Sequence, residues 1–318
     1  MDGMALRQAG IMASFLRKRP FILFIAPGFF LYTLLVIYPI FSAMQLSLFE
    51  WNGIGPRTFV GLGNYRELFT DAFLMGQFTN ALQNSLKLFM LTVFVQTPVQ
   101  IILAYMVYSK MNGRRAVQTI IFAPQFITTP VIVFIFRLIL DSNVGVLNAM
   151  LTNMGLESLA RPWMGIPEFG IVILFIMITW GGIGVGMTFL IGAMNMVNRD
   201  GIEAAYIDGA GFWSRLILVI LPQIKTTVIN LILIGYIFCM TVFDFSFILG
   251  GGSSGGIGGS LDVMALFFYR IAFGDVNPVG GRISNNSIGM GTTIACVLFF
   301  LIFAIALLRI LAMSRQDK

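Results

Sequence analysis

Six long apolar stretches, separated by shorter polar ones, dominate the chain. They run from Phe21 to Leu48, Leu88 to Ser109, Val117 to Leu140, Phe169 to about Asn195, Thr226 to Phe243, and Ile288 to Leu308. Arg137 interrupts the third near its end, and the first carries no charge at all. A helix needs roughly 20 apolar residues to cross about 30 Å of hydrocarbon, where an unsatisfied backbone amide is costly. The pattern predicts an all-α integral membrane protein with six transmembrane helices over residues 21–310, flanked by tails at 1–20 and 311–318. The first stretch follows Arg17-Lys18-Arg19, as the core of a cleaved signal peptide would. Such a core is typically about 7–15 apolar residues. This one is about twice that length and contains Pro27 and Pro39, so an uncleaved span is expected.

The polar intervals carry patterns of their own. FVGLGNYRELF places Phe59, Leu62, Tyr65 and Phe69 at roughly helical spacing, which predicts a short amphipathic helix at the membrane interface. GGGSSGGIGGS, Gly250 to Ser260, reads as a flexible low-complexity loop. No repeat of 20–50 residues is apparent.

Composition agrees with lipid as the solvent: 58% of the 318 residues are hydrophobic, 11% are charged, and the mean hydropathy is +0.89. The net charge of +6 might point to nucleic acid, but the charges sit at the ends of apolar runs rather than in a patch. Their placement sets the orientation instead. The N-terminal tail, Lys110 to Arg115, Arg199 to Lys225 and the C-terminal tail together hold thirteen cations and five acids. The other side holds seven cations and nine acids. Both termini are therefore expected in the cytoplasm.

Several chemistries are absent. There is no histidine, the commonest general base and metal ligand. Cys239 and Cys296 lie far apart in apolar runs and read as small buried hydrophobes. Gly250, Gly252 and Gly255 fit G-x-G-x-x-G, yet lie between membrane spans rather than in a βαβ unit. No G-x-x-x-x-G-K-[S/T] occurs, so any ATP-driven step needs an ATPase on another subunit. No catalytic or metal-ligating constellation is present.

The best-marked segment is EAAYIDGAGFWSRLILVILP, Glu203 to Pro222. Ile202 to Asp208 favours a short helix with small residues on one side, which lets another surface approach closely. Gly209 and Gly211 permit a sharp turn, and Pro222 reads as the point where the chain is redirected into the next span. Glu203 can accept hydrogen bonds from a partner's backbone or arginine. An ordinary amphipathic loop is the plainer alternative.

At these residues the sequence resembles the membrane permease subunits of binding-protein-dependent ABC importers. Glu203-Ala204-Ala205, three residues, Gly209, nine residues, Val219, one residue, Leu221-Pro222 is similar to that family's EAA motif, with Val219 in place of isoleucine. FVGLGNY (Phe59 to Tyr65), FRLILDSNVGVLN (Phe136 to Asn148) and FDFSFILGGG (Phe243 to Gly252) look like the carbohydrate branch, which includes maltose and glycerol-3-phosphate permeases. The Gly-rich loop departs from that branch's shorter form. The resemblance implies a type I importer permease fold with cytoplasmic coupling helices in the loop at about 196–225. It implies that Glu203, Ala204, Ala205 and Gly209, with Asp208 beside them, couple to a cytoplasmic ATPase dimer that holds ATP and magnesium. It also implies a second, homologous permease subunit, an extracytoplasmic solute-binding protein, and a bacterial inner membrane.

Polar residues within spans are functional candidates, with helix packing as the rival role. Gln96, Asn84, Trp180, Asn230, Tyr236 and Asp244 stand out. A sugar needs amides or carboxylates for its hydroxyls and an aromatic face for its ring; Trp180, Asn230, Tyr236 and Asp244 offer that set. Arg137 is expected to pair with Asp244 or Asp141. Gly182 and Gly186 form a G-x-x-x-G suited to helix packing. The alternative function is an ion-gradient-driven secondary transporter; a membrane enzyme is a third reading. Against a secondary transporter stand the missing repeat and histidine, and the near isolation of Asp244.

Overall fold

The computed structural model describes residues 21–109, 111–274 and 287–314. The tail expected at 1–20, residues 315–318 of the tail expected at 311–318, and Lys110 lie outside the described residues, while 311–314 continue the last helix. The chain is helical almost throughout: α1 Phe24–Leu46, α3 Ala72–Tyr108, α4 Arg114–Phe126 and α5 Thr129–Leu140, with a short α2, Gly63–Thr70, before α3. There follow α6 Val146–Asn153, α7 Gly170–Asn195 and α8 Arg199–Ile207. The series ends with α9 Phe212–Gly250, α10 Met264–Phe273 and α11 Ile288–Ser314. The two strands, β1 Phe49–Glu50 and β2 Thr58–Phe59, form one small antiparallel ribbon.

Among the described residues five helices, α1, α3, α7, α9 and α11, are each long and apolar enough to cross a bilayer, and there are six if the bent pair of α4 and α5 counts as one span. The bend is 105°, so the straight third span expected at Val117 to Leu140 is corrected. Pro124 lies in a 3-10 turn ending α4, Ile127 and Thr128 are extended, and Pro130 sits in the first turn of α5. Two prolines six residues apart leave no uninterrupted helical hydrogen bonding across that point.

The second and fifth spans are longer than expected. α3 has 37 residues and α9 has 39, or about 55 Å and more at 1.5 Å per residue. Asn80 and Asn84 lower the hydropathy of early α3, but the fold satisfies them. Asn80 donates to the Gly259 carbonyl, and Asn84 donates to the carbonyls of Gly259 and Asp262, all at 2.9 Å. Helix continuity at α9 corrects the reading of Pro222 as a redirection point. The helix runs straight through it, preceded by a π-helical stretch, Arg215–Ile220. The same device recurs twice: Thr33–Ile37 precedes Tyr38-Pro39, and Thr92–Gln96 precedes Thr97-Pro98. Widening the turn before a proline relieves the clash of its ring with the carbonyl four residues back.

Packing follows three apolar clusters. One joins α3, α5 and α7 with the end of α9 around Leu174, Met177 and Val133. A second, around Tyr105, Leu190, Ile202 and Ile220, roots α8 against α3, α7 and α9. The third packs α10 and α11 on α3 through Phe78, Phe267 and Ile294. Phe24, Phe30, Leu35 and Phe41 of α1 stay exposed, as a lipid-facing helix requires. The helix expected at FVGLGNYRELF forms only from Gly63, and its buried face is Asn64 and Leu68. Phe59 belongs to β2, and Leu62 and Phe69 are exposed.

Glycines set the closest approaches. A Cβ on Gly184 would lie 2.8 Å from the Phe122 Cα of α4, whereas one on Gly182 would meet nothing within 4 Å. Gly184 and Gly186, rather than Gly182 with Gly186, are thus the packing glycines of α7. Gly184→Val is expected to destabilise the folded chain by about 1–3 kcal/mol, the usual cost of overpacking, and Gly182→Ala to be neutral. Thermal unfolding in detergent checks both.

Candidate functional site: a short capped helix and a cavity between the spans

α8 is nine residues long and is closed at both ends by local chemistry. The Asn198 side chain caps its start by accepting from the Asp200 amide at 3.0 Å. At its end Gly209 adopts φ +73°. The Ala210 amide donates to the Ala205 carbonyl at 2.9 Å and the Gly209 amide to Tyr206 at 3.1 Å. This is a Schellman cap, and it explains the spacing from Ala205 to Gly209, because the left-handed residue must fall there. Gly209→Ala is expected to cost about 1–2 kcal/mol through the left-handed penalty and to fray α8, read as faster amide exchange at Ala210.

Ile202 is the buried anchor of α8, and Ala205 is half-buried. Glu203, Ala204, Asp208 and Gly209 are exposed. Glu203 has no hydrogen-bond partner among the described residues. It lines a groove of about 480 Å³ shared with Arg114, Arg115, Arg199 and Tyr206. One carboxylate thus stands among three guanidinium groups, on a helix that also exposes Ala204, Tyr206 and Ile207.

Midway along the helices lies a cavity of about 270 Å³. Thr92, Gln96, Thr97 and Gln100 of α3 line one wall, Gly182, Gly186 and Phe189 of α7 another, and Gly235 and Phe238 of α9 a third. The π-helical stretch of α3 forms part of that wall; the Thr97 hydroxyl donates to the Thr92 carbonyl at 2.9 Å. Gln96 accepts from the Thr179 hydroxyl at 3.2 Å, and Gln100 donates to the Ile183 carbonyl at 3.2 Å. No titratable side chain lines the cavity. Its lining is mostly apolar, with Ile178, Val185, Leu231, Ile234 and two phenylalanines beside the amides and hydroxyls of α3.

The four residues expected to form a sugar site are not brought together there. Trp180 packs edge-on against Phe136 at 5.8 Å. Asn230 accepts from Arg309 at 3.3 Å. Tyr236 is buried beside Phe89 and donates to the Leu301 carbonyl at 3.4 Å. Asp244 is exposed at the first turn of Asp244–Gly250, the outer end of α9. Of the other polar candidates, Gln96 lines the cavity and Asn84 holds a loop. Thr92 and Gln100 were missed; polar residues four apart, Thr92, Gln96 and Gln100, on one helix face around Pro98 are the signal that could have found them.

The expected pairing of Arg137 is also corrected. Its guanidinium donates to the carbonyls of Ile248 and Leu249, at 2.9 and 2.8 Å. It thereby caps the negative end of the helix that starts at Asp244, a partner invisible to charge matching in sequence. Asp141 instead accepts from the amides of Val144 and Asn143, which hold its carboxyl below the usual carboxylate range.

The Gly-rich segment is not the flexible loop expected. Gly252, Ser253 and Gly255 are buried. Arg270 of α10 donates to Asp262 at 2.5 and 3.0 Å and to the Ser253 carbonyl at 2.9 Å. The Ser246 hydroxyl donates to the Leu261 carbonyl.

Comparison with known proteins agrees with this architecture. The chain is 29% identical over 290 residues to the probable ABC transporter permease protein YurN of Bacillus subtilis, covering 90% of this chain and 93% of that protein. It is 28% identical over 308 residues to the arabinooligosaccharides transport system permease protein AraP of the same organism, covering 96% and 92%. A crystal structure of a bacterial alginate ABC transporter, in complex with an alginate pentasaccharide-bound periplasmic protein, contains a chain of the same fold. That chain superposes with a TM-score of 0.77 at 21% identity, covering 96% of this chain and 97% of its own. The profile of one family, described as binding-protein-dependent transport system inner membrane component, matches residues 96–317, which include α8 and most of the cavity wall. The chain, a multi-pass membrane permease with the type I importer fold, therefore belongs to the family of binding-protein-dependent transport system inner membrane components.

Proposed function

We propose that this chain forms one half of the translocation pathway of an ATP-driven importer for an uncharged sugar or oligosaccharide. The observation that carries the reading is α8, a capped helix that exposes Glu203, Ala204 and Asp208 while Ile202 roots it in the core. A cytoplasmic ATPase dimer, holding ATP and magnesium, docks on that helix. A second, related permease completes the pathway, and an extracytoplasmic binding protein delivers the solute. Both termini lie in the cytoplasm, on the side of Arg114, Arg115, Arg199 and α8, in keeping with the charge bias.

Transport proceeds by alternating access. ATP binding closes the ATPase dimer, its motion moves α8, and the spans open outward to receive the solute. Gln96, Thr92 and Gln100 then face the solute hydroxyls, with Phe189 and Phe238 against the apolar face of a ring. Trp180, Asn230, Tyr236 and Asp244 are read here as supports of the spans. The sugar class is supported by the transport named for AraP and by the pentasaccharide-loaded protein bound to the alginate transporter. Nothing in the comparisons favours an ion-gradient-driven carrier, and a cavity without titratable groups offers no proton relay.

The test is to reconstitute the chain with its co-encoded subunits in liposomes and screen the cognate binding protein against neutral sugars. Uptake is expected to require ATP on the α8 side and to survive a proton uncoupler. Uptake without ATP that an uncoupler abolishes would overturn the reading.

A further inference from the structure

α8 lies along the π-helical root of α9 and touches it at three places. Gly201 approaches Val219, Ile202 inserts between Leu216 and Ile220, and Tyr206 lies under Arg215. The Arg215 guanidinium sits 3.7 Å from the centre of the Tyr206 ring. The same guanidinium lies beside the Tyr105 hydroxyl at the end of α3, and Phe212 packs on the Tyr105 ring at 4.6 Å. Arg215 Nε is buried and makes no hydrogen bond. The guanidinium is held by stacking on Tyr206 and by a hydrogen bond with the Tyr105 hydroxyl, and no carboxylate pairs with it among the described residues.

Ile202 and Tyr206 are one helical turn apart, so they face the same way. With Ile202 alone, a helix of nine residues pushed at Glu203 would turn about a single buried point. With Tyr206 also fixed, the helix is held at both ends of one face. We propose that Arg215 is a positioning residue for coupling: by holding the Tyr206 ring it makes α8 a rigid extension of α9, so that a push on Glu203 moves the span. The inference rests on the reading of α8 as the ATPase-docking helix. It adds a residue outside the docking surface and a physical route from that surface to the cavity wall at Gly235 and Phe238.

The test follows the movement at both ends of the route. Cys239 and Cys296 are replaced by alanine, and a spin label is placed at Ile207→Cys, at the exposed end of α8, or at Thr241→Cys, the last residue of α9 before its break at Val242 and Phe243. Each chain is purified with its co-expressed second permease and ATPase, and spectra are recorded before and after trapping with Mg·ATP and vanadate. In the otherwise unaltered chain both labels are expected to respond. In Arg215→Met and Tyr206→Leu the Ile207 label is expected to respond while the Thr241 response is lost. Tyr206→Phe, which keeps the ring face, is expected to retain it, and Arg215→Lys, which keeps the cation but not the planar stack, to retain only part of it. A merely structural role would alter melting temperature or ATPase co-purification, and both are expected to stay unchanged in Arg215→Met. A wild-type Thr241 response in Arg215→Met and Tyr206→Leu would overturn the proposal. If the ATPase does not co-purify with the unaltered chain, or its Ile207 label is silent, the docking reading itself fails and the proposal falls with it.

Discussion

Glu203→Lys is expected to insert and fold normally and to lose solute uptake. The side chain is exposed on α8, so its replacement leaves no buried group unpaired and removes no packing. Its effect must therefore act through a partner. Three arginines, Arg114, Arg115 and Arg199, already share the groove with this carboxylate. A lysine at position 203 turns one compensating charge into a fourth cation, and like charges brought together at an interface cost several kcal/mol. Uptake is expected to fall by at least about a hundredfold, since each 1.4 kcal/mol of lost affinity is roughly tenfold. The accompanying signature is an ATPase that no longer co-purifies, or one whose hydrolysis no longer depends on loaded binding protein. Uptake at the wild-type level would remove Glu203 from the coupling surface.

Breaking the ion pair of Asp262 and Arg270 is expected to give the largest loss of stability. Both groups are buried, at 3% and 8% exposure. Burial pushes the Asp262 carboxyl up, and the hydrogen bonds and charge of Arg270 pull it back. Asp262→Ala leaves the guanidinium buried without its carboxylate, a situation that costs about 3–5 kcal/mol. The Ser253 carbonyl and Gln77 Oε1 remain as neutral acceptors, so the loss falls short of a fully orphaned charge. Replacing both members, as Asp262→Leu with Arg270→Met, is expected to be milder than either single change, because no unpaired charge remains. Melting temperatures of the three variants in detergent decide the order. A double variant as unstable as Asp262→Ala would mean that packing of the Gly-rich loop, not the charge, dominates.

Legibility in sequence divided along physical lines. The six spans and the orientation bias were readable because hydropathy and charge are summed over about 20 residues, and a sum tolerates local exceptions. α8 was readable because its cap is local: Gly209 closes the helix that Ala205 ends, within five residues. The start of α3 was not readable, because Asn80 and Asn84 look like loop residues until the carbonyls of Gly259 and Asp262, about 180 positions away, accept from them. Arg137 was paired in sequence with a carboxylate because charges attract. In the fold its partners are two backbone carbonyls, and a helix terminus carries no letter of its own.

The candidate site shows the same division. Sequence inspection found polar and aromatic residues in spans but had no means of placing them on common or separate faces. Trp180, Asn230, Tyr236 and Asp244 then fell into four different surroundings. By itself the sequence determined that this protein spans a membrane several times, on which side its cations gather, and that a short helix stops at Gly209, although that helix starts at Arg199, three residues before the expected Ile202. Those properties arise from composition and from contacts within a few residues. Only the tertiary structure decided that Gln96, Gly182 and Phe238 share one cavity, that Arg215 grips Tyr206, and that a glycine-rich loop is buried on an ion pair. Each depends on where helices far apart in sequence meet, and that is set by packing of three-dimensional faces which no local pattern records.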